Sequence, residues 1–138
     1  MARCRGVAQT VLIVDDHAGF RASARSLLER DGFEVVGEAS TGVQALAFAD
    51  ELQPTLVLLD VQLPDLDGFE VAEGLQAMEN PPQVILISTR DAGDFGSLIA
   101  SAPARGFVGK AELTADAIRA LLSASPPPHA SSDPSAED

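Results

Sequence analysis

Four short apolar runs in this chain end on polar side chains that can do chemistry. Val11-Leu-Ile-Val14 leads into Asp15 and Asp16, and Thr55-Leu-Val-Leu-Leu59 into Asp60. Val84-Ile-Leu-Ile87 leads into Ser88 and Thr89, and Gly106-Phe-Val108 is followed shortly by Lys110. Gathered at one place, three carboxylates repel one another, which raises their proton affinity or invites a cation. Hard oxygen donors in small number suit Mg2+, with waters and a phosphoryl oxygen filling the octahedron. A carboxylate can act as a nucleophile on phosphorus and give an acyl phosphate. Because the transferring group carries charge on three oxygens, such catalysis is mainly positioning and neutralisation. Mg2+ would supply part of the neutralisation, Lys110 another part as a point charge, and the Ser88 hydroxyl a hydrogen bond.

Each residue alone has an ordinary reading. Asp15 and Asp16 can cap the helix that follows, Asp60 can be a turn residue, Ser88 a common residue after a strand, and Lys110 a solvated surface lysine. The joint pattern argues otherwise. The chain uses arginine eight times and lysine once, at Lys110, where a compact ammonium would serve better than a planar guanidinium.

For these residues to meet, the runs must be strands of one sheet. Between them lie helical periods: Phe20, Ala24, Leu27 and Leu28 on one face of a helix ending near Gly32, then Val43, Leu46 and Ala47 on a helix from Thr41 stopped by Pro54. A third helix is expected from about Gly68 to Met78. A last one, capped by Thr114, carries Leu113, Ala117, Leu121 and Leu122. Residues 33–39 read as a weaker strand. The segment after Ser88 is poorly specified, with Gly93 and Gly96 inside any helix there. The body is thus α/β, a (βα)5 doubly wound parallel sheet covered on both faces. Right-handed crossovers put all the strand C-terminal ends on one edge, the edge where open α/β sheets bind ligands.

The remaining composition sets limits. At 138 residues there is room for one domain with a core. We divide the chain into an N-terminal extension (1–9), a folded domain (10–123) and a disordered tail or linker rich in Pro, Ser and acid (124–138). There is no apolar run long enough for a membrane span and no signal-peptide pattern at the start, so a cytoplasmic location is expected. The single cysteine, Cys4, excludes an internal disulfide, and His17 and His129 are too few and too far apart for a zinc site. A net charge of −12 argues against direct nucleic-acid binding and favours basic partners or cations.

With these residues in view, the chain resembles the receiver domains of two-component response regulators, most of all those of the LuxR-type output class. Asp60-Val-Gln-Leu-Pro-Asp-Leu-Asp-Gly68 is similar to the segment that follows the phosphorylated aspartate in that family. Leu12-Ile-Val-Asp-Asp-His17, Val84-Ile-Leu-Ile-Ser88 and Ala104-Arg-Gly-Phe-Val-Gly-Lys110 resemble its strands one, four and five. The resemblance implies a flavodoxin-like fold with strand order 2-1-3-4-5. It implies that Asp60 accepts a phosphoryl group, that Asp16 binds Mg2+ directly and Asp15 through water, and that the backbone carbonyl of Gln62 is a further ligand. Ser88 and Lys110 would contact phosphoryl oxygens, and Phe107 would be the aromatic that reports the switch, although a plain core phenylalanine is also consistent. Gln62 and Arg90, two residues beyond Asp60 and Ser88, would set the lifetime of the aspartyl phosphate. Two departures stand out: Ala111 follows the lysine where proline is frequent, and Pro103 stands where glycine is common.

The implied partners are a sensor histidine kinase or phosphotransfer protein and an unidentified output partner, with a homodimer as an option. The receiver would turn over no separate metabolite and is not an enzyme in that sense. It would be either free-standing or the receiver part of a longer regulator. Rival readings are a receiver-fold interaction module that works without phosphate, a metal-dependent phosphatase, and a nucleotide-binding domain. The intact Asp15, Asp16, Asp60, Ser88 and Lys110 speak against the first. Gln62, where a phosphatase would want a second aspartate, speaks against the second, and the lack of a Gly-x-Gly-x-x-Gly loop against the third.

Overall fold

The computed structural model describes residues 9–89 and 102–123. In chain order these form β1 (Thr10–Val14), α1 (Ala18–Arg30), β2 (Glu34–Ala39), α2 (Gly42–Leu52), β3 (Leu56–Asp60), α3 (Gly68–Gln76), β4 (Gln83–Ser88) and β5 (Gly106–Gly109). A 3-10 turn (Lys110–Glu112) and α4 (Ala115–Ser123) complete them. The sheet order is β2-β1-β3-β4-β5, with every neighbouring pair parallel. This is the expected 2-1-3-4-5 order. Its reversal lies between β1 and β3, so the crevice of such a fold opens at the C-terminal ends of those two strands.

The continuous apolar runs follow from burial on two sides. Side chains alternate across a strand, so each run feeds two cores. Val11, Ile13, Leu56, Leu58, Ile85 and Ile87 face one layer with Ala24 and Leu28 of α1 and Ile118 of α4. Leu12, Val14, Val57, Leu59, Val84 and Leu86 face the other, with Ala45 and Ala49 of α2 and Val71, Ala72 and Leu75 of α3. The central strand β3 is buried at all five positions. No polar residue could be placed inside it without a partner, which is why its one aspartate stands at the end.

Helix ends follow local chemistry. Gly32, at φ 92°, lets the amide of Phe33 return to the carbonyl of Leu28 at 3.0 Å, closing α1 in a conformation that disfavours other residues. Thr41 Oγ1 accepts from the amide of Gln44 at 3.1 Å to start α2. Thr114 Oγ1 accepts from the amide of Ala117 at 3.0 Å to start α4. Arg105, at the foot of β5, donates from Nη2 to the carbonyls of Leu121 and Leu122, both at 3.1 Å, which satisfies the open end of α4.

Two expected boundaries shift. Leu113 is buried but precedes α4 instead of riding on it, because the 3-10 turn after β5 already carries the chain inward there. Helix α3 stops at Gln76, two residues short of Met78. The helix expected around Gly93 and Gly96 lies outside the described residues, as do Cys4, Arg90, His129 and the tail. Pro103 sits in a bend before β5. Among the described residues no helix is long and apolar enough to cross a membrane.

Leu58 is fully buried and paired with Ile13 and Ile85 on either side. Leu58→Ala is expected to lower unfolding stability by about 2–5 kcal/mol, transfer loss plus cavity. An unchanged midpoint in urea denaturation would contradict this packing.

Candidate functional site

The acidic rim is built by strand ends that are fixed through their backbones. The amide of Asp15 donates to the carbonyl of Ala39 on β2 at 3.0 Å. Its own carbonyl accepts from Arg21 Nη1 at 2.6 Å. Arg21 Nε in turn pairs with Glu38 Oε1 at 3.0 Å, and Arg25 Nη1 with Glu38 Oε2 at 2.8 Å. The hydrogen bond from Arg25, then that from Arg21, holds the Glu38 carboxyl below its ordinary range against partial burial. Asp15 is therefore carried on a backbone held from both sides, with its side chain fully buried. Asp16 is exposed beside it.

Across the crevice, Asp60 ends β3 with 4% exposure. Lys110 comes to it from the turn after β5, its Nζ 3.4 Å from Asp60 Oδ2 and in contact with Asp15 Oδ2. The Asp15 contact is a charge-assisted pairing, in which the Lys110 ammonium is the partner of the buried Oδ2. The ring of Phe20, on the first turn of α1, lies under the same ammonium at 4.7 Å, a cation–π contact that helps hold the ammonium in place. Burial pushes the Asp60 carboxyl up to about 6. The backbone hydrogen bond from Gln62, 3.1 Å from Oδ1, opposes this; the Asp15 charge adds to the rise, and Lys110 opposes it.

Ser88 ends β4, buried, beside Gly109 in the parallel register, one residue before Lys110. Phe107 pairs with Leu86 and packs, partly buried, against the core layer under α2 and α3. The fold thus brings Asp15, Asp60 and Lys110 into direct contact, with Asp16 on the open side, Ser88 on the neighbouring strand end and Phe107 in a core position.

The loop from Asp60 to α3 is rigid for reasons written in its motif. The Val61 amide donates to Ile87 at 3.0 Å, and the Gly68 amide to Val61 at 2.6 Å. Asp67 and Glu70 form a reciprocal capping box on α3. Asp65 accepts from the amides of Gly42 at 2.7 Å and Val43 at 3.0 Å, capping α2 from another loop; these bonds hold its carboxyl below the ordinary value. Gly68 is required by close approach, since a Cβ there would fall 2.6 Å from the carbonyl oxygen of Asp60 and 2.7 Å from Cα of Val61.

Sequence reasoning missed Asp65, Arg21, Glu38 and His17. The second-sphere pair Arg21–Glu38 left no local signal, because its members meet only through tertiary packing. His17 had one: it directly follows two acids at a strand end. Its Nδ1 lies 3.2 Å from Asp15 Oδ1 and 3.0 Å from Asp16 Oδ1. Asp15, Asp16, His17 and Asp60 each offer a donor atom within 4.8 Å of the others. A dication fits this set, because the donors are hard oxygens with one imidazole, and the exposed Asp16 and His17 leave one side open for water ligands.

Comparison with known proteins gives a coherent picture. Residues 11–122 match the family profile described as "Response regulator receiver domain". The chain is 40% identical over 110 residues to the transcription regulator BvgA of Bordetella pertussis, covering 80% of this chain and 53% of that protein. It is 32% identical over 113 residues to the DNA-binding transcriptional activator EvgA of Escherichia coli K12, covering 82% and 55%. The signal receiver domain of the response regulator NarL from Mycobacterium tuberculosis superposes with a TM-score of 0.74 at 30% identity, covering 85% of this chain and 98% of that one. The chain spans about half the length of the curated relatives it matches.

Two outcomes follow from this geometry. A buried acid whose carboxyl is raised in the fold binds its proton more tightly there than when unfolded, so stability falls as pH rises from about 4 to about 6 and stays lower above. In metal-free buffer at neutral pH, Asp60→Asn should therefore stabilise the fold, by up to about 3 kcal/mol, with the gain vanishing below pH ~4. Urea titrations across that range would refute this if the variant were no more stable at neutral pH. Gly68→Ala should destabilise by about 1–3 kcal/mol, as overpacking against backbone does, and a thermal melt unaltered by it would show that the loop can yield.

Proposed function

The chain belongs to the response regulator receiver family, and we propose that Asp60 is its phosphoacceptor. The donor in this reading is the phosphohistidine of a sensor kinase or phosphotransfer protein, or a small phosphodonor. An Asp60 carboxylate oxygen attacks phosphorus, the P–N bond of the donor breaks, and the imidazole nitrogen leaves with its electron pair. One observation carries the reading: the Lys110 ammonium stands between the buried carboxylates of Asp15 and Asp60.

That position lets Lys110 follow charge from the carboxylate onto the phosphoryl oxygens without crossing the site. Ser88, at the adjacent strand end, supplies a hydroxyl to another of those oxygens. Mg2+, held by Asp15, Asp16, Asp60 and the backbone carbonyl of Gln62, would neutralise the acids and the incoming group together. Asp15 and Asp16 orient it from a strand end fixed by Arg21 and Ala39. Gln62 sets the lifetime of the acyl phosphate by gating attacking water, a role that falls also to Arg90, which lies outside the described residues.

The new charge beside β4 offers the Ser88 hydroxyl a phosphoryl oxygen to bond, with Phe107 on β5 repacking in step. The surface formed by β5 and α4 is then the output face, for a partner or a second copy of the chain. The folded unit is 10–123, with an extension before it and a linker or tail after. The net charge of −12 argues against direct nucleic-acid contact by this chain itself.

Acetyl phosphate with Mg2+ should add one phosphoryl group to the wild-type chain by intact mass, and none to Asp60→Asn or to the wild type in EDTA. Lys110→Met should slow uptake by about tenfold or more, on the scale of lost electrostatic stabilisation. A wild-type chain that stays unmodified under saturating donor would point to a module acting without phosphate.

A further inference from the structure

His17 is not used by the receiver reading. It is the N-cap of α1 yet makes no side-chain capping bond. Its backbone amide donates to Asp15 Oδ1 at 2.8 Å, which fixes the peptide while the imidazole, 70% exposed, turns back over the acids. We propose that His17 Nδ1 is a further protein ligand of the cation site, and that it makes the site favour a borderline transition-metal dication over Mg2+. The proposal rests on the receiver reading only in taking a dication to be held at Asp15 and Asp16.

Three observations support it. The first is spacing. Adjacent ligands of an octahedral ion at about 2.1 Å are about 3.0 Å apart, and Nδ1 stands 3.0 Å from Asp16 Oδ1 and 3.2 Å from Asp15 Oδ1. The second is division of labour on Asp15. Its Oδ2 contacts Lys110, whereas its Oδ1 is the atom beside His17, so Lys110 and the His17 donor use different oxygens. The third is exposure: Asp16 and His17 form the open side of the cluster, which leaves room for the waters that complete a coordination shell.

The chemistry sets the direction of selectivity. A hard, strongly hydrated Mg2+ gains little from an imidazole nitrogen, whereas Co2+, Ni2+ and Zn2+ bind it well. If His17 merely bonded the two carboxylates, its loss would change the affinity of every dication alike. A ligand role splits them.

The test is calorimetric titration of the full chain with Co2+ and with Mg2+, for wild type and His17→Ala, joined to pulsed EPR of bound Mn2+. The side chain caps nothing, so the variant should fold; His17→Gln, which keeps a polar group without an imidazole nitrogen, repeats the comparison if it does not. Expected is a loss of Co2+ affinity of at least about tenfold, with Mg2+ affinity changed by no more than about twofold, the scale of an ordinary surface substitution. Nitrogen coupling to Mn2+ should be present in the wild type and gone in the variant. Equal losses for both ions, no loss for either, or no nitrogen coupling in the wild type would each overturn the proposal. Failure of the wild type to take up a phosphoryl group from acetyl phosphate would count against the receiver reading alone.

Discussion

Two carboxylates buried at neighbouring strand ends are a costly arrangement, and a single ammonium makes it tenable. Unit charges about 4 Å apart in partly buried surroundings interact by roughly 4 kcal/mol, so Asp15 and Asp60 without a cation between them would drive at least one to protonate. Lys110 contacts both, with Phe20 beneath it. The three groups come from β1, β3 and the turn after β5, which are not consecutive in the chain. The sheet order is what allows them to meet. Everything else about the rim can be understood as holding these positions still.

That holding is uneven. On the β1 side, Asp15 is tied through its amide to Ala39, through its carbonyl to Arg21, and through Arg21 to Glu38. Below Asp60, the loop is pinned by Val61, Gly68 and the caps that Asp65 and Asp67 place on two different helices. These are mostly backbone or backbone-directed bonds, which position without depending on rotamer freedom. The acids can then be buried without being mobile, and the raised proton affinity of Asp60 is the mark of that burial.

How much of this the sequence disclosed depends on the range of the interaction. The two-layer sheet was legible because a run such as Leu56-Val-Leu-Leu59 is apolar at successive positions, and alternation then sends Leu58 and Leu59 to opposite cores. Asp15, Asp16, Asp60 and Lys110 were legible because each ends a run of that kind. Asp65 hid behind its neighbours: a turn aspartate looks local, whereas this one caps a helix from a loop that follows it by more than twenty residues. Arg21 and Glu38 hid for the same reason, their pairing being a fact of α1 packing on β2. Leu113 misled because its spacing fits a helix, while the turn after Lys110 had already buried it.

The unevenness also decides where a change at Asp60 can be felt. The β1 strand is buried at four of its five positions and its far end is bonded on two sides. The β5 strand is an edge strand with one buried residue in four, followed by a short turn whose Ala111 and Glu112 are exposed. Charge added between these two sides acts on both. The same force displaces the side with fewer packed atoms, since dense packing resists small shifts and yields only between discrete arrangements. Lys110 belongs to the weaker side. It is therefore both the counter-charge that stabilises the acids and the residue through which a redistribution of that charge would reach β5, so the group that makes the resting site possible is also the one best placed to transmit its change.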